Sequence, residues 1–241
     1  MKLFIIRHAQ STNNALPDER DRVPDPPLTE LGHHQAQLLA EHLATGKNPE
    51  LSAWTSVEAS VSHNRRSYDI TKLYCSAMHR SLQTVQPIAQ ALNLTPEIWL
   101  DIHEHGGIYL DHGAEKGIVG YPGRTRSEIL AEFPTCVLPE AITEEGWWTG
   151  GQEDWPSVHG RAIKVVAELR ARAASDERIA IVSHGGFIDA LIKSLLNQSP
   201  SPHVFYYNFN TAISRIDFRD DGRLDFRYLN RVDHLPQELI S

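Results

Sequence analysis

Two short segments, far apart in the chain, each end an apolar run on a histidine. The first is FIIRHAQST, with Arg7 and His8; the second is IAIVSHGGF, with His184. Arg7 places its neighbour in a positive potential, which disfavours imidazolium and keeps the ring neutral near pH 7. A neutral imidazole is a nucleophile, and a guanidinium offers a planar fork matched to phosphate oxygens. Taken alone, the first segment also fits a strand-end histidine bonded to backbone beside a surface arginine. The second segment adds Gly185 and Gly186, which permit close backbone approach to a ligand. A helix begins directly after His184, so its free N–H groups favour an anion there. A third segment, CSAMHRSLQT, carries Arg80 in the first turn of a helix. A cation is unfavourable at that end of a helix dipole unless it turns inward to an anion.

The elements that must position these groups follow from periodicity. Leu3 to Ile6 is an all-apolar run and reads as a central strand buried on both faces. PPLTELGHHQAQLLAEHL reads as a helix with Thr29 as its N-cap and Ala36, Leu39, Ala40 and Leu43 at helical spacing. KLYCS is the next strand, MHRSLQTVQPIAQALNL a helix with a kink or boundary expected at Pro87, and EIWL a short third strand. WPSVHGRAIKVVAELRARAA and GFIDALIKSLLN are helices on either side of the buried strand RIAIVS. Alternation around an Asp-Gly pair in AISRIDFRDDGRLDFRYL indicates a β-hairpin. Strands alternating with helices imply an α/β fold, a three-layer α/β/α sandwich with a mainly parallel central sheet. Ligands of such sheets bind beyond the carboxyl ends of the strands, where the RH and SH pairs lie. The chain reads as one domain, 1–241, with insertions at about 46–71, a surface segment of no clean period, and at about 101–157, a glycine-, proline- and tryptophan-rich stretch. One helix, RSEILAEF, is expected inside the latter. So long an irregular stretch is usually a lid or a substrate wall.

Composition narrows the classes. With 241 residues and 41% hydrophobic content the chain can bury a sizeable core. Its net charge of -8 argues against a broad nucleic-acid surface while leaving room for a local basic pocket. Cys75 and Cys136 are the only cysteines, too few for a disulfide framework or a four-thiolate zinc site. No signal peptide and no stretch approaching a membrane span is visible, so a cytoplasmic protein is expected.

The ordered set of segments resembles the histidine phosphatase superfamily, the phosphoglycerate-mutase-like group. That family opens on Arg-His-Gly followed by a Ser or Thr and an Asn; here Arg7 and His8 are followed by Ala9 in place of glycine, then by Ser11 and Asn14. DPPLTELGHHQA is similar to its next block, SAMHRSLQT to its Ser-Pro-Leu-x-Arg block with Ala77 and Met78 as departures, and VSHGG to its second-histidine block. The resemblance covers residues 3–43, 72–94 and 178–197. It implies a phosphoglycerate-mutase-like fold and a phosphomonoester hydrolase acting through a phosphohistidine at His8. Arg7, Arg80, His184 and Asn14 would hold the phosphoryl oxygens, with Ser11 and the Gly185 N–H beside them. It implies no metal and no cofactor. It also implies an acid/base carboxylate in IWLDIHEHGGIYLDHG, where Glu104 is the choice and Asp101 its competitor.

Several residues keep two readings. His103, His105 and His112 could ligate zinc or simply be polar loop residues. Arg124 and Arg126 could meet a second acidic group of the substrate or face solvent. Trp147 and Trp148 could pack a core or wall the substrate. The expected partner is a small phosphorylated substrate, with no nucleic acid and no membrane; a homodimer remains open. Two rival functions stand beside the phosphatase. One is a cofactor-dependent phosphoglycerate mutase, whose characteristic residues are not matched by ALPDERDRVPDPP at 15–27. The other is an inactive phospho-ligand binding module, disfavoured by retention of both histidines and both arginines. The substrate itself is not legible.

Overall fold

A computed structural model describes residues 1–46, 68–114 and 116–241. Six strands form the central sheet: β1 (Lys2–Arg7), β2 (Lys72–Cys75), β3 (Pro96–Ile98), β6 (Arg178–Ser183), β7 (Ile213–Phe218) and β8 (Leu224–Arg231), in the order β3-β2-β6-β1-β7-β8. The first four in that order run parallel, and β7 and β8 are antiparallel additions at one edge. The sheet is therefore mixed and mostly parallel.

Successive side chains of a strand face opposite sides of the sheet, so an all-apolar strand feeds two cores. Phe4 and Ile6 of β1 pack with α1 (Glu30–Thr45) and α2 (His79–Leu92), whereas Leu3 and Ile5 pack with α4 (Trp155–Ala171) and α5 (Gly185–Leu195). The result is helices on both faces, as the alternating pattern requires. Thr29 caps α1 as expected, its Oγ1 accepting the Gly32 N–H at 2.9 Å. Among the described residues no helix is long and apolar enough to cross a membrane.

Three local expectations change. Pro87 neither ends nor bounds its helix: α2 continues through it to Leu92, because an apolar face of Leu82, Val85, Ile88 and Ala89 holds both halves on the sheet. The stretch 101–157 is not wholly irregular. Besides α3 (Arg126–Glu132) it holds a two-stranded hairpin, β4 (Tyr109–Asp111) with β5 (Ile118–Gly120), whose short, largely exposed strands carry little periodic signal. Most of the segment at 46–71 lies outside the described residues, but its end does not: Tyr68 and Ile70 are buried in the core formed with α1 and α2.

Candidate active site

The register of β1 on β6 pairs Arg7 with Ser183, and the His8 N–H donates to the Ser183 carbonyl at 2.8 Å. One residue beyond each strand stand His8 and His184, their ring centroids 4.9 Å apart. On the other side of β6, Cys75 of β2 pairs with Val182, so Ser76 comes level with Ser183, one residue before His184. The Ser76 Oγ lies 2.5 Å from His184 Nε2. Three neighbouring parallel strands therefore end on three groups of one site.

His8 has a defined tautomer. Its Nδ1 lies 2.7 Å from the Ala9 carbonyl, which can only accept, so Nδ1 carries the hydrogen. That leaves the lone pair on Nε2, where it accepts from Arg80 Nε at 3.2 Å. Burial, then Arg80, then Arg7 hold the His8 pKa well below the ordinary histidine value, against a smaller opposing pull from the Ala9 carbonyl. His184 is depressed likewise, by burial first and then Arg80 and His8; its buried Nδ1 has no hydrogen-bond partner among the described residues.

The two arginines are held differently. Arg7 donates from Nη1 to the Asn208 carbonyl at 2.5 Å, and its buried Nε has no hydrogen-bond partner among the described residues. Arg80, buried at the start of α2, has Nη1 3.8 Å from Asp25 Oδ1. Asp25 also accepts the His79 N–H at 3.0 Å, so one carboxylate fixes both the helix end and the guanidinium. Burial pushes the Arg80 pKa down, and the Asp25 and Glu104 carboxylates oppose that.

Glu104 lines the same cavity as Arg7, His8, Ser11, Asn14 and Arg80. Its Oε1 accepts two backbone N–H groups, Phe187 in the first turn of α5 at 3.0 Å and His105 at 2.8 Å. Oε2 has no hydrogen-bond partner among the described residues. The close seat depends on glycine: a Cβ on Gly186 would stand 2.8 Å from Glu104 Oε1 and 3.1 Å from the His105 side chain. Arg161 of α4 braces the loop from below. It donates to the carbonyls of Asp101 at 2.8 Å and His103 at 2.7 Å, pairs with Glu153 at 2.5 Å, and lies over the Phe187 ring. Asp101, the competing carboxylate, is not on the cavity; its Oδ2 pairs with Lys164 at 2.6 Å.

Asn14 and Ser11 line the cavity together, and Ser11 donates from both N and Oγ to Asn14 Oδ1 at 3.0 Å. Gly185 lies beside the Arg7 guanidinium but not on the cavity surface, and neither does His184. The three loop histidines go separate ways. His103 is buried against Trp147 and Trp148, its Nδ1 donating to the Leu100 carbonyl; His105 stacks on Trp155; His112 meets the Tyr121 hydroxyl. Among the described residues no group of three or more His, Cys, Asp or Glu is placed to hold a metal. Trp147 packs on the core and Trp148 lies under Gly107, whose φ of +70° brings a would-be Cβ within 2.2 Å of the indole. Arg124 pairs with Glu132 and Arg126 donates to the carbonyls of Pro139 and Ile142, so both tie the loop together.

Sequence reasoning missed several members. Asp25 and Ser76 sit inside quoted segments and could have been found by asking what partners Arg80 and His184. Arg161 looks like a solvated charge in sequence, and so does Arg22, which lines the cavity. Asn210, which donates to the His8 carbonyl at 2.8 Å, follows no motif.

Comparison with known proteins places the chain in a family. The chain matches the histidine phosphatase superfamily (branch 1) over residues 3–58 and 59–230. It is 27% identical over 241 residues to phosphoserine phosphatase 1 of Hydrogenobacter thermophilus, covering all of this chain and 97% of that one. To a probable phosphoglycerate mutase GpmB of Yersinia enterocolitica it is 24% identical over 234 residues, 91% of this chain and 86% of the other. Its fold is shared with a mutant phosphoserine phosphatase of Entamoeba histolytica solved in complex with phosphoserine, at a TM-score of 0.59 and 20% identity, covering 98% of this chain and 99% of that one. With a family match running through most of its length, this chain belongs to branch 1 of the histidine phosphatase superfamily.

Proposed function

We propose that the chain hydrolyses a small phosphomonoester through a phosphohistidine on His8. The observation that carries this reading is the unprotonated Nε2 of His8, set in one cavity with Arg7, Arg80 and Glu104. Nε2 attacks phosphorus, the N–P bond forms and the ester P–O bond breaks. Arg7, Arg80 and Asn14, which line the cavity, take the non-bridging oxygens and stabilise the charge that develops there. Arg80 Nε exchanges its bond to His8 for one to a phosphoryl oxygen. The carboxyl of Glu104 gives its proton to the leaving oxygen through Oε2; the resulting carboxylate then takes a proton from water as that water attacks phosphorus. The N–P bond breaks, inorganic phosphate leaves, and His8 and Glu104 return to their starting states.

The phosphoserine phosphatases among the relatives make phosphorylated hydroxy and amino acids the first substrates to try. The rival is a mutase that returns the phosphoryl group to a second hydroxyl. A panel of phosphorylated metabolites, scored for released phosphate and for isomerised product, tests the reading. Phosphate release without isomer is expected. Isomer in preference to phosphate would make the chain a mutase, and neither product from any member would make it a binding module.

A further inference from the structure

The ring of His8 is fixed by one backbone carbonyl, and that carbonyl belongs to a peptide unit with its own anchor. His8 Nδ1 donates to the Ala9 carbonyl at 2.7 Å. The C=O of one residue and the N–H of the next share a rigid plane and, in the trans form, point in opposite directions. The aim of the Ala9 carbonyl is therefore coupled to the aim of the Gln10 N–H. That N–H donates to Gln35 Oε1 at 2.9 Å. Gln35 stands on α1, is completely buried and does not line the cavity. Among the buried positions of α1, which are Gly32, Gln35, Ala36, Leu39, Ala40 and Leu43, it is the one polar side chain. A buried amide costs free energy unless its groups are bonded, and this one gives its oxygen to the nucleophile's loop.

The peptide units on either side are held by other groups. In the preceding unit the His8 carbonyl accepts from Asn210 Nδ2 at 2.8 Å and the Ala9 N–H donates to Thr84 Oγ1 at 3.0 Å. In the following unit the Gln10 carbonyl accepts the Thr29 N–H at 3.0 Å. Among the described residues the unit between Ala9 and Gln10 has two partners, the His8 ring on its carbonyl and Gln35 on its N–H. The amide of Gln35 is itself oriented. Its Nε2 donates to the Leu239 carbonyl at 2.7 Å and to Ser241 Oγ at 2.9 Å. A carbonyl can only accept, so the amino group faces that side and the oxygen faces Gln10.

A neutral imidazole has two tautomers, and only the one with its hydrogen on Nδ1 leaves the Nε2 lone pair free to attack. The acceptor at Nδ1 selects that tautomer. A peptide unit released from its anchor rotates about its flanking bonds and turns the carbonyl away, and the hydrogen is then free to sit on Nε2. We propose that Gln35 is a positioning residue for His8: by holding the Gln10 N–H it aims the Ala9 carbonyl at Nδ1 and so keeps the lone pair on Nε2. The effect of Gln35 on rate rests on the phosphatase reading; its effect on the tautomer does not.

Long-range ¹H–¹⁵N correlation NMR on enzyme labelled at its histidine rings reports which nitrogen of each ring carries the hydrogen. The His8 signals are those absent from His8→Ala. The wild type is expected to show the Nδ1–H pattern at neutral pH. Gln35→Met keeps the length of the side chain and removes the acceptor, so the His8 pattern should move towards the Nε2–H form. The same variant should slow the nitrophenol burst from p-nitrophenyl phosphate about fivefold, the worth of one neutral hydrogen bond. Gln35→Glu retains an oxygen for the Gln10 N–H and should keep the Nδ1–H pattern. Should Gln35→Met fail to fold, Gln35→Asn, which is one methylene too short to reach Gln10, carries the same prediction. An Nε2–H pattern in the wild type, an unchanged pattern in Gln35→Met, or a slower burst with the tautomer intact overturns the assignment. A tautomer that shifts as expected in an enzyme that hydrolyses no phosphomonoester leaves the role of Gln35 standing and removes the phosphatase reading, so the two failures are distinguishable.

Discussion

Glu104→Gln isolates the proton donor with little collateral change. The glutamine carbonyl can occupy the position of Oε1 and accept the same two N–H groups, from Phe187 and His105, so the side chain keeps its seat. What disappears is the transferable proton on the other oxygen. General acid–base catalysis contributes about 10²–10⁴ in rate, or about 2.7–5.4 kcal/mol of barrier. The full loss should appear only when the leaving group needs protonation. For an alkyl phosphate, kcat/KM measured by phosphate release should fall at least a hundredfold. With p-nitrophenyl phosphate, stopped-flow should still show a burst of nitrophenol equal to the enzyme present, followed by slow turnover, because Glu104 also activates the water of the second step. Asp101→Asn is the control: its carboxylate pairs with Lys164 away from the cavity, so both rates should stay near those of the wild type. If Asp101→Asn loses alkyl-phosphate hydrolysis and keeps the aryl burst while Glu104→Gln does neither, the assignment of the acid is wrong.

Other outcomes follow from the same geometry. Arg80→Ala should lower kcat/KM at least tenfold, since a charge-assisted hydrogen bond contributes about 1.5–3 kcal/mol; Arg80→Lys should rescue little, because a point charge does not reproduce the fork, and full activity in the lysine variant would remove Arg80 from the site. Arg161 is a positioning residue that acts through the Glu104 loop, so Arg161→Lys should cut kcat for an alkyl phosphate about tenfold more than it cuts the aryl burst, with KM little changed. Equal loss of both rates would mean a purely structural role. Folding stability should fall with pH below about 6.5. Burial pushes His103 down to about 4 and His234 to about 3, so in this range the unfolded chain binds protons the folded chain refuses. Each such histidine contributes up to about 1.4 kcal/mol per pH unit, present in full above 6.5 and lost as pH falls towards the folded pKa. A thermal midpoint flat from pH 7 to 5 would contradict this.

How much of this was legible in the sequence depends on whether a signal is local. Short apolar runs such as Leu3 to Ile6 and Ile179 to Val182 have to be buried on two faces, so the sheet and the ends of its strands could be read directly. The residues just past those ends, Arg7, His8 and His184, came with them. Glu104 was harder, because its role depends on the approach of α5 from more than 80 residues away, through Gly186 and the Phe187 N–H. Arg161 could not be read at all. It is one charge among many in its segment, and only the packing of α4 under the Glu104 loop separates it from a solvated neighbour. The passage of α2 through Pro87 was hidden for the opposite reason: a local rule was overridden by an apolar face already docked on the sheet.

The central claim is that His8 Nε2 takes the phosphoryl group. Incubating the enzyme with a ³²P-labelled phosphomonoester for milliseconds, quenching in base and mapping the labelled peptide measures this directly. One label per chain is expected on the peptide containing His8, stable in base and lost in acid, with none in His8→Ala. Label on any other residue, or near-full hydrolytic activity in His8→Ala, would contradict the mechanism.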